Sequence, residues 1–361
     1  MYRFKRIAVK IGSNVLTHKD GTLDTERMSQ LVNQMAELHK AGVEIVLISS
    51  GAVASGRSIL KLEKEPDPVS ARQIFSSIGQ ARLINLYYEL FSKHGIFCGQ
   101  VLTTKEALST RNHYLNQKNC ITQLLQHKVV PILNENDTIS LTELMFTDND
   151  ELSGMVATMM NVEALIILSN IDGIYTGNPS DPDAKVIGEV EAGVNIEKYI
   201  LSSKSSFGRG GMLTKTNIAR KVAAEGIEVI IANGKRDNIL TSLLSEGSDT
   251  LCTRFLPTGR ELSSVKKWIA HSESFSKGTI TIDDNACKAL LSDNATSLLF
   301  IGITAVGGEF CKGDIITIKD SQGKDIAIGK AQYDSDKMTQ SIGKKGLRPA
   351  VRCDYLWIIN N

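Results

Sequence analysis

Glu44-Ile-Val-Leu-Ile-Ser-Ser50, stopped by Gly51, is a run of β-favouring apolar residues with no polar alternation. Strands that read this way are covered on both faces. Arg6-Ile-Ala-Val-Lys-Ile-Gly12, Val129-Val-Pro-Ile-Leu-Asn134, Ala164-Leu-Ile-Ile-Leu-Ser169 and Glu228-Val-Ile-Ile-Ala232 repeat the pattern, and Ile96 to Leu102 reads as a further strand. Helical spacing lies between them. Thr25 to Ala41 places Met28, Leu31, Val32, Met35 and Leu38 on one face, with Thr25 as the N-cap and Gly42 as the stop. Pro68 to His94, Asn112 to His127, Asp150 to Asn161 and Met212 to Glu225 read as helices too. Strand–helix alternation of this kind predicts a doubly wound α/β fold with a mainly parallel sheet.

Outward from this core the character changes. Residues 174–211 are rich in turn formers, with Asn178-Pro-Ser-Asp-Pro-Asp183 at their centre. Beyond Thr279 come short runs: Gly278 to Ile282, Asp314 to Lys319, Asp325 to Ile328 and Tyr355 to Ile359. They predict a small β-rich, barrel-like module. The chain has 361 residues, which suits two domains. The division expected is 1–260, a linker over 261–275, and 276–361.

Composition excludes several classes. Lys+Arg number 41 and Asp+Glu 40, so bulk attraction to nucleic acid or anionic membrane has no basis. Met1 to Gly12 is interrupted by Lys10, so it is neither a secretory segment nor a spanning helix. Six cysteines are scattered without a Cys-x-x-Cys pair, against both a disulfide framework and a zinc site. Free thiols point to the cytoplasm.

In a doubly wound sheet the ligand sits beyond the carboxyl ends of the strands. Four stretches there carry chemistry. Lys10 lies inside a strand and precedes Gly12-Ser13-Asn14, a turn whose N–H groups can approach phosphate. Either it meets a buried anion or it is an edge-strand lysine in solvent. Ser49-Ser50-Gly51-Ala52 offers hydroxyls and N–H groups to an anion, or simply caps a helix. Asn134-Glu-Asn-Asp137 and Asp148-Asn-Asp150 gather carboxylates that need cations: a metal, lysines or a substrate ammonium. The plainer reading is a solvated loop with Asp150 as a helix cap. Gly208-Arg-Gly-Gly-Met-Leu-Thr-Lys215 runs a glycine turn into a helix with a lysine near its start. A cation there opposes the macrodipole unless an anion is bound, so a phosphate cradle is favoured over a linker.

Val9-Lys-Ile-Gly-Ser-Asn14, Ser49-Ser-Gly-Ala-Val53, Ile78-Gly-Gln-Ala-Arg82, Leu133-Asn-Glu-Asn-Asp137, Asp148-Asn-Asp-Glu-Leu152, Asp172-Gly-Ile-Tyr-Thr176 and Gly210-Gly-Met-Leu-Thr-Lys215 together resemble the amino acid kinase family. The tail from about 275 resembles a PUA domain. The resemblance implies the family's sandwich around a mainly parallel sheet, followed by a small β-rich PUA-like barrel. It implies ATP and Mg²⁺ as cofactors. The reaction implied is transfer of phosphate to the γ-carboxylate of L-glutamate, giving L-glutamyl 5-phosphate for proline biosynthesis.

The same resemblance assigns residues. Lys10 and Lys215 would neutralise the moving phosphoryl group, and Asp148 would orient them. Ser50, Gly51, Asn134, Asp137, Asn149 and Asp150 would hold the substrate. Lys10, Gly12, Ser169, Asn170, Arg209, Gly210, Gly211, Met212, Leu213, Thr214 and Lys215 would hold the nucleotide. No metal ligand is assigned to the protein. Ser169-Asn170 and Arg209 depart from the family's usual Thr-Asp and small residue, on the nucleotide side. Proline as a feedback inhibitor, a homo-oligomer (dimer or tetramer) and a glutamyl phosphate reductase partner are implied as well. Two competing readings stand beside this one. One is a kinase for another small acid such as acetylglutamate. The other is an RNA-binding protein acting through the tail, which eleven Lys/Arg against ten Asp/Glu from Lys277 onward do not favour.

Overall fold

The computed structural model describes the chain except residues 1, 65, 141–148, 180, 192–193, 195, 197–210, 260–263, 273–274, 293–295 and 360–361. It divides into two units. One holds Met1–Leu108 and Asn112–Glu261, the other Ser109–Arg111 and Leu262–Asn361.

The first unit is built on an eight-stranded sheet. Its strands are β1 (Arg6–Ile11), β2 (Glu44–Ser49), β3 (Cys98–Thr103), β4 (Val130–Glu135), β5 (Ala164–Ser169), β6 (Glu189–Val190), β7 (Glu228–Asn233) and β8 (Thr253–Phe255). They lie in the order β3-β4-β2-β1-β5-β7-β8-β6. Every pairing is parallel except β7 with β8. The helices are α1 (Ser13–Leu16), α2 (Thr25–Lys40), α3 (Ala52–Ile59), α4 (Pro68–Ser92), α5 (Lys105–Ser109), α6 (Arg111–Gln126), α7 (Asn149–Met160), α8 (Met212–Ala224) and α9 (Ile239–Leu244).

Strand β1 is central. Lys10 lies opposite Ile48 of β2 and Ile167 of β5. The edge-strand reading of Lys10 is therefore overturned: its strand is flanked on both sides, and the residue is 4% exposed. Residues alternate between the two faces of a strand. Ile7, Val9 and Ile11 join the core formed with α2, α4 and α9. Ala8 and Lys10 have the opposite parity and face α7, which packs on β1. That parity delivers the Lys10 ammonium to the first turn of α7.

Helices α3 and α4 cross with almost no gap. A methyl added at Gly56 would fall on the Phe75 carbonyl, and one at Gly79 on the Ala52 carbonyl. The crossing fixes α3, and with it the turn at the end of β2. The N-cap of α2 is Asp24, whose carboxylate accepts from Arg27 N, not Thr25. A carboxylate one residue earlier reaches the free N–H groups and suits the positive helix end.

In the second unit β9 (Gly278–Ile282), β10 (Ile303–Gly307), β11 (Ile315–Lys319), β12 (Asp325–Lys330) and β13 (Leu356–Ile358) form a separate sheet in the order β10-β9-β11-β12-β13. Its core is apolar, with Ile280, Ile316, Ile318, Ala327 and Val351 fully covered. Helix α10 (Ser264–Ala270) occupies the stretch that reads as a linker in the sequence.

Candidate active site

The carboxyl ends of β1, β2, β4, β5 and β7 open on one edge of the sheet, as a parallel arrangement requires. The chemistry collects there around one carboxylate. Lys10 Nζ lies 2.5 Å from Asp150 Oδ1, and Lys215 Nζ lies 2.8 Å from Asp150 Oδ2. Asp150 is fully buried in the first turn of α7. Burial alone would lift its pKa. The ammonium groups of Lys10 and Lys215 more than reverse this, so the carboxyl is held below its ordinary range. Two ammonium groups thus converge on one carboxylate, and cations so placed suit the approach of an anion.

The helix-cap reading of Asp150 is thus replaced. The residue is inside the helix, and its carboxylate is spent on two lysines from β1 and α8. Asp148, to which the family resemblance assigns the orienting role, lies outside the described residues.

Beside this group sits a polar cluster. Asn149 Nδ2 reaches Ser50 Oγ at 2.9 Å, Asn134 Oδ1 at 2.9 Å and the Ser49 carbonyl at 3.2 Å. One amide joins the ends of β2 and β4 to the start of α7. Asn134 Nδ2 in turn donates to Gln80 Oε1. Gly51 precedes α3 with φ of 104°, a left-handed conformation that only glycine holds without strain. Beneath, Ser49 Oγ and the buried Tyr87 hydroxyl lie 2.9 Å apart.

Asp137, buried after β4, shares Arg72 with Glu135. Arg72 Nε donates to Asp137 Oδ1 at 2.7 Å, and Arg72 Nη2 to Glu135 Oε2 at 3.1 Å. Burial raises the Asp137 pKa and Arg72 opposes the rise without cancelling it. Arg72 sits on α4, 65 residues from Asp137 in sequence, and no local pattern announces it.

The described residues expected on the nucleotide side lie at the same edge. Gly12 follows β1, its N–H bonded to the Leu168 carbonyl. Ser169 ends β5 and Asn170 follows it, their side chains 3.4 Å apart. Gly211 caps α8, which opens with Met212, Leu213, Thr214 and Lys215. Arg209 and Gly210 lie outside the described residues. Sequence reasoning missed a pair here. Asp172 accepts from Arg236 Nε at 2.6 Å and from Asn233 Nδ2 at 3.0 Å. These bonds, Arg236 first, hold its carboxyl below the usual range.

Among the described residues no cluster of three or more His, Cys, Asp or Glu side chains is arranged to hold a metal. The described carboxylates at the site already face cations: Asp150 the two lysines, Asp137 and Glu135 Arg72, Asp172 Arg236. No described helix is long and apolar enough to cross a membrane.

Residues 5–233 match the amino acid kinase family, and residues 278–350 match the PUA domain. A protein named glutamate 5-kinase from Bacteroides thetaiotaomicron is 63% identical over 355 residues, covering 98% of this chain and 99% of that one. The protein of the same name from Chlorobaculum tepidum is 46% identical over 362 residues, at 99% and 98% coverage. That from Dehalococcoides mccartyi is 41% identical over 345 residues, at 94% and 91%.

Proposed function

The chain belongs to the amino acid kinase family, and from that premise we propose that it is a glutamate 5-kinase. It moves the γ-phosphoryl group of ATP to the γ-carboxylate of L-glutamate, forming L-glutamyl 5-phosphate, the first step of proline synthesis. The observation that carries the reading is the pair of lysines, Lys10 and Lys215, gripping the two oxygens of buried Asp150 beside the Ser50–Asn134–Asn149 cluster. Full-length relatives of that name at 63% and 46% identity support it.

The chemistry follows from charge. A γ-carboxylate, with a free pKa of about 4.3, is ionised at neutral pH and needs no general base. The obstacle is bringing it to an anionic phosphoryl group. The ammonium groups of Lys10 and Lys215 neutralise charge on the group in transfer, and Asp150 holds both in place beforehand, so little reorganisation remains at the moment of reaction. Ser50, Asn134 and Asn149 hold the glutamate, Gly51 lets its γ-carboxylate approach the backbone, and Asp137 receives its ammonium. Gly12, Ser169, Asn170 and the stretch from Arg209 to Lys215 hold the nucleotide. Asp148 keeps its proposed role in orienting the lysines.

Mg²⁺ would enter on the nucleotide phosphates, the usual arrangement where no protein cage is built, and would supply charge neutralisation there. The described carboxylates form no cage of their own, and no step above depends on one.

The proposal extends to proline as a feedback inhibitor at or beside the glutamate subsite, to a dimer or tetramer, to a glutamyl phosphate reductase that consumes the labile acyl phosphate, and to a cytoplasmic setting. The test is an ATP- and Mg²⁺-dependent hydroxamate assay with glutamate, run with and without proline. Glutamate-dependent hydroxamate is expected, and proline should suppress it. Turnover on acetylglutamate but not on glutamate would sink the reading.

A further inference from the structure

Helix α4 does more than pack against α3. Three of its side chains splint the end of β4 and the loop that follows it. Gln80 accepts from Asn134 at 2.8 Å, Arg72 spans Glu135 and Asp137, and Gln73 Nε2 donates to the Thr138 carbonyl at 2.9 Å. Residues 134, 135, 137 and 138 are thereby tied to one rigid element. Arg72 and Gln80 are about two turns apart and share a face of the helix.

Within this splint the Arg72 contacts are one-sided. Both its Nε, at 2.7 Å, and its Nη2, at 2.5 Å, meet Oδ1 of Asp137. Among the described residues Oδ2 is left to a ligand.

We propose that Arg72 is a positioning residue for substrate recognition: its guanidinium fork fixes Asp137 so that Oδ2 receives the α-ammonium group of the amino-acid substrate. This rests on the glutamate kinase reading. An isolated carboxylate at this depth drifts towards its neutral form, which binds an ammonium poorly. Arg72 opposes that drift and restricts the rotamer. Lysine is no substitute, because a single ammonium cannot meet Glu135 and Asp137 with fixed geometry.

The test is a double-mutant cycle on the full chain with steady-state kinetics for both substrates. Arg72→Gln should lower kcat/KM for glutamate by roughly 10- to 100-fold, the range of a lost charge-assisted contact. The loss should fall mainly in KM for glutamate, with KM for ATP within about twofold of wild type. Arg72→Gln added to Asp137→Ala should cost less than about threefold more, since residues that act through one another are not additive. Arg72→Lys should lose several-fold and respond to Asp137→Ala in the same way, and it decides the matter should Arg72→Gln fail to fold.

Losses that multiply in the double mutant overturn the inference, as does a KM for ATP that climbs in step with that for glutamate. So do near-wild-type kinetics in both Arg72 variants. A wild-type enzyme that turns over no glutamate sinks both readings. One that does, with kinetics indifferent to Arg72, sinks this one alone.

Discussion

The Lys10–Asp150–Lys215 group and the Lys319–Asp325 pair are ion pairs of similar length in opposite surroundings. In the kinase unit the side chains are 6%, 0% and 13% exposed. In the β-rich unit they are 32% and 53% exposed, across a hairpin. Withdrawing charges from water costs several kcal/mol per ion, and well-packed apolar residues would serve stability as well or better. A surface pair costs little and yields roughly 0–1 kcal/mol. A fold that buries three charges at the carboxyl edge of its sheet is therefore built there for something other than stability. In the second unit the core of the sheet is apolar, and the described pairs Lys277–Asp314, Lys319–Asp325 and Arg352–Asp354 lie towards solvent; Lys267 is the described charged side chain that is buried there.

The sharpest way to break this contrast is to remove the lysines. Lys10→Ala and Lys215→Ala should each lower kcat by about 10²–10³, the range for deleting one preorganised donor to developing charge. KM for glutamate should change only a few-fold. Near-wild-type turnover in both variants, measured by ADP release, would leave the buried charges unexplained by catalysis.

Next in size is Asp150→Asn, which leaves two buried ammonium groups facing each other. Breaking a buried group of charges from one side should cost about 3–5 kcal/mol in urea unfolding at neutral pH. Its pH dependence has a definite sign. The Asp150 pKa is depressed in the folded state, so its contribution is present above the unfolded value of about 3.9 and fades as pH falls through the folded one. The gap between wild type and variant should hold from pH 8 to 5 and narrow only below about pH 4. A gap that widened towards acid would mean that Asp150 is protonated when folded.

The two regions also differ in what their sequences reveal. The sheet was legible because its strands are continuous apolar runs: Ala164 to Ser169 is read to the residue, and β1, β2, β4 and β7 to within one or two. Short elements such as α9, β6 and β8 offer too few residues for a period to show. At the site, Lys10, Ser50 and Asn134 could be named from their place at strand ends and Asn149 from the family resemblance, and the structure brings them to one edge. What α7 does with Asp150 was not legible. A helix start announces a free carboxylate, but only the sheet order decides that β1 and α8 present lysines to it. Arg72 is the extreme case, since its pairing with Asp137 depends wholly on where α4 crosses the sheet.

The smallest expected effect lies in the second region. Lys319 Nζ lies 2.5 Å from Asp325 and also meets the Gly323 carbonyl, so on distance alone the contact looks as strong as that of Lys10. Solvent screens it, and the long lysine side chain loses rotamer freedom to make it. Lys319→Ala should therefore shift the stability of the chain by less than about 1 kcal/mol, and less still in high salt. Turnover should stay within about twofold of wild type. Thermal unfolding at low and high salt, read beside the kinetics, tests both statements. A loss of activity matching that of Lys10→Ala would show that distance, and not burial, marks the working charges, and the contrast between the regions would fall with it.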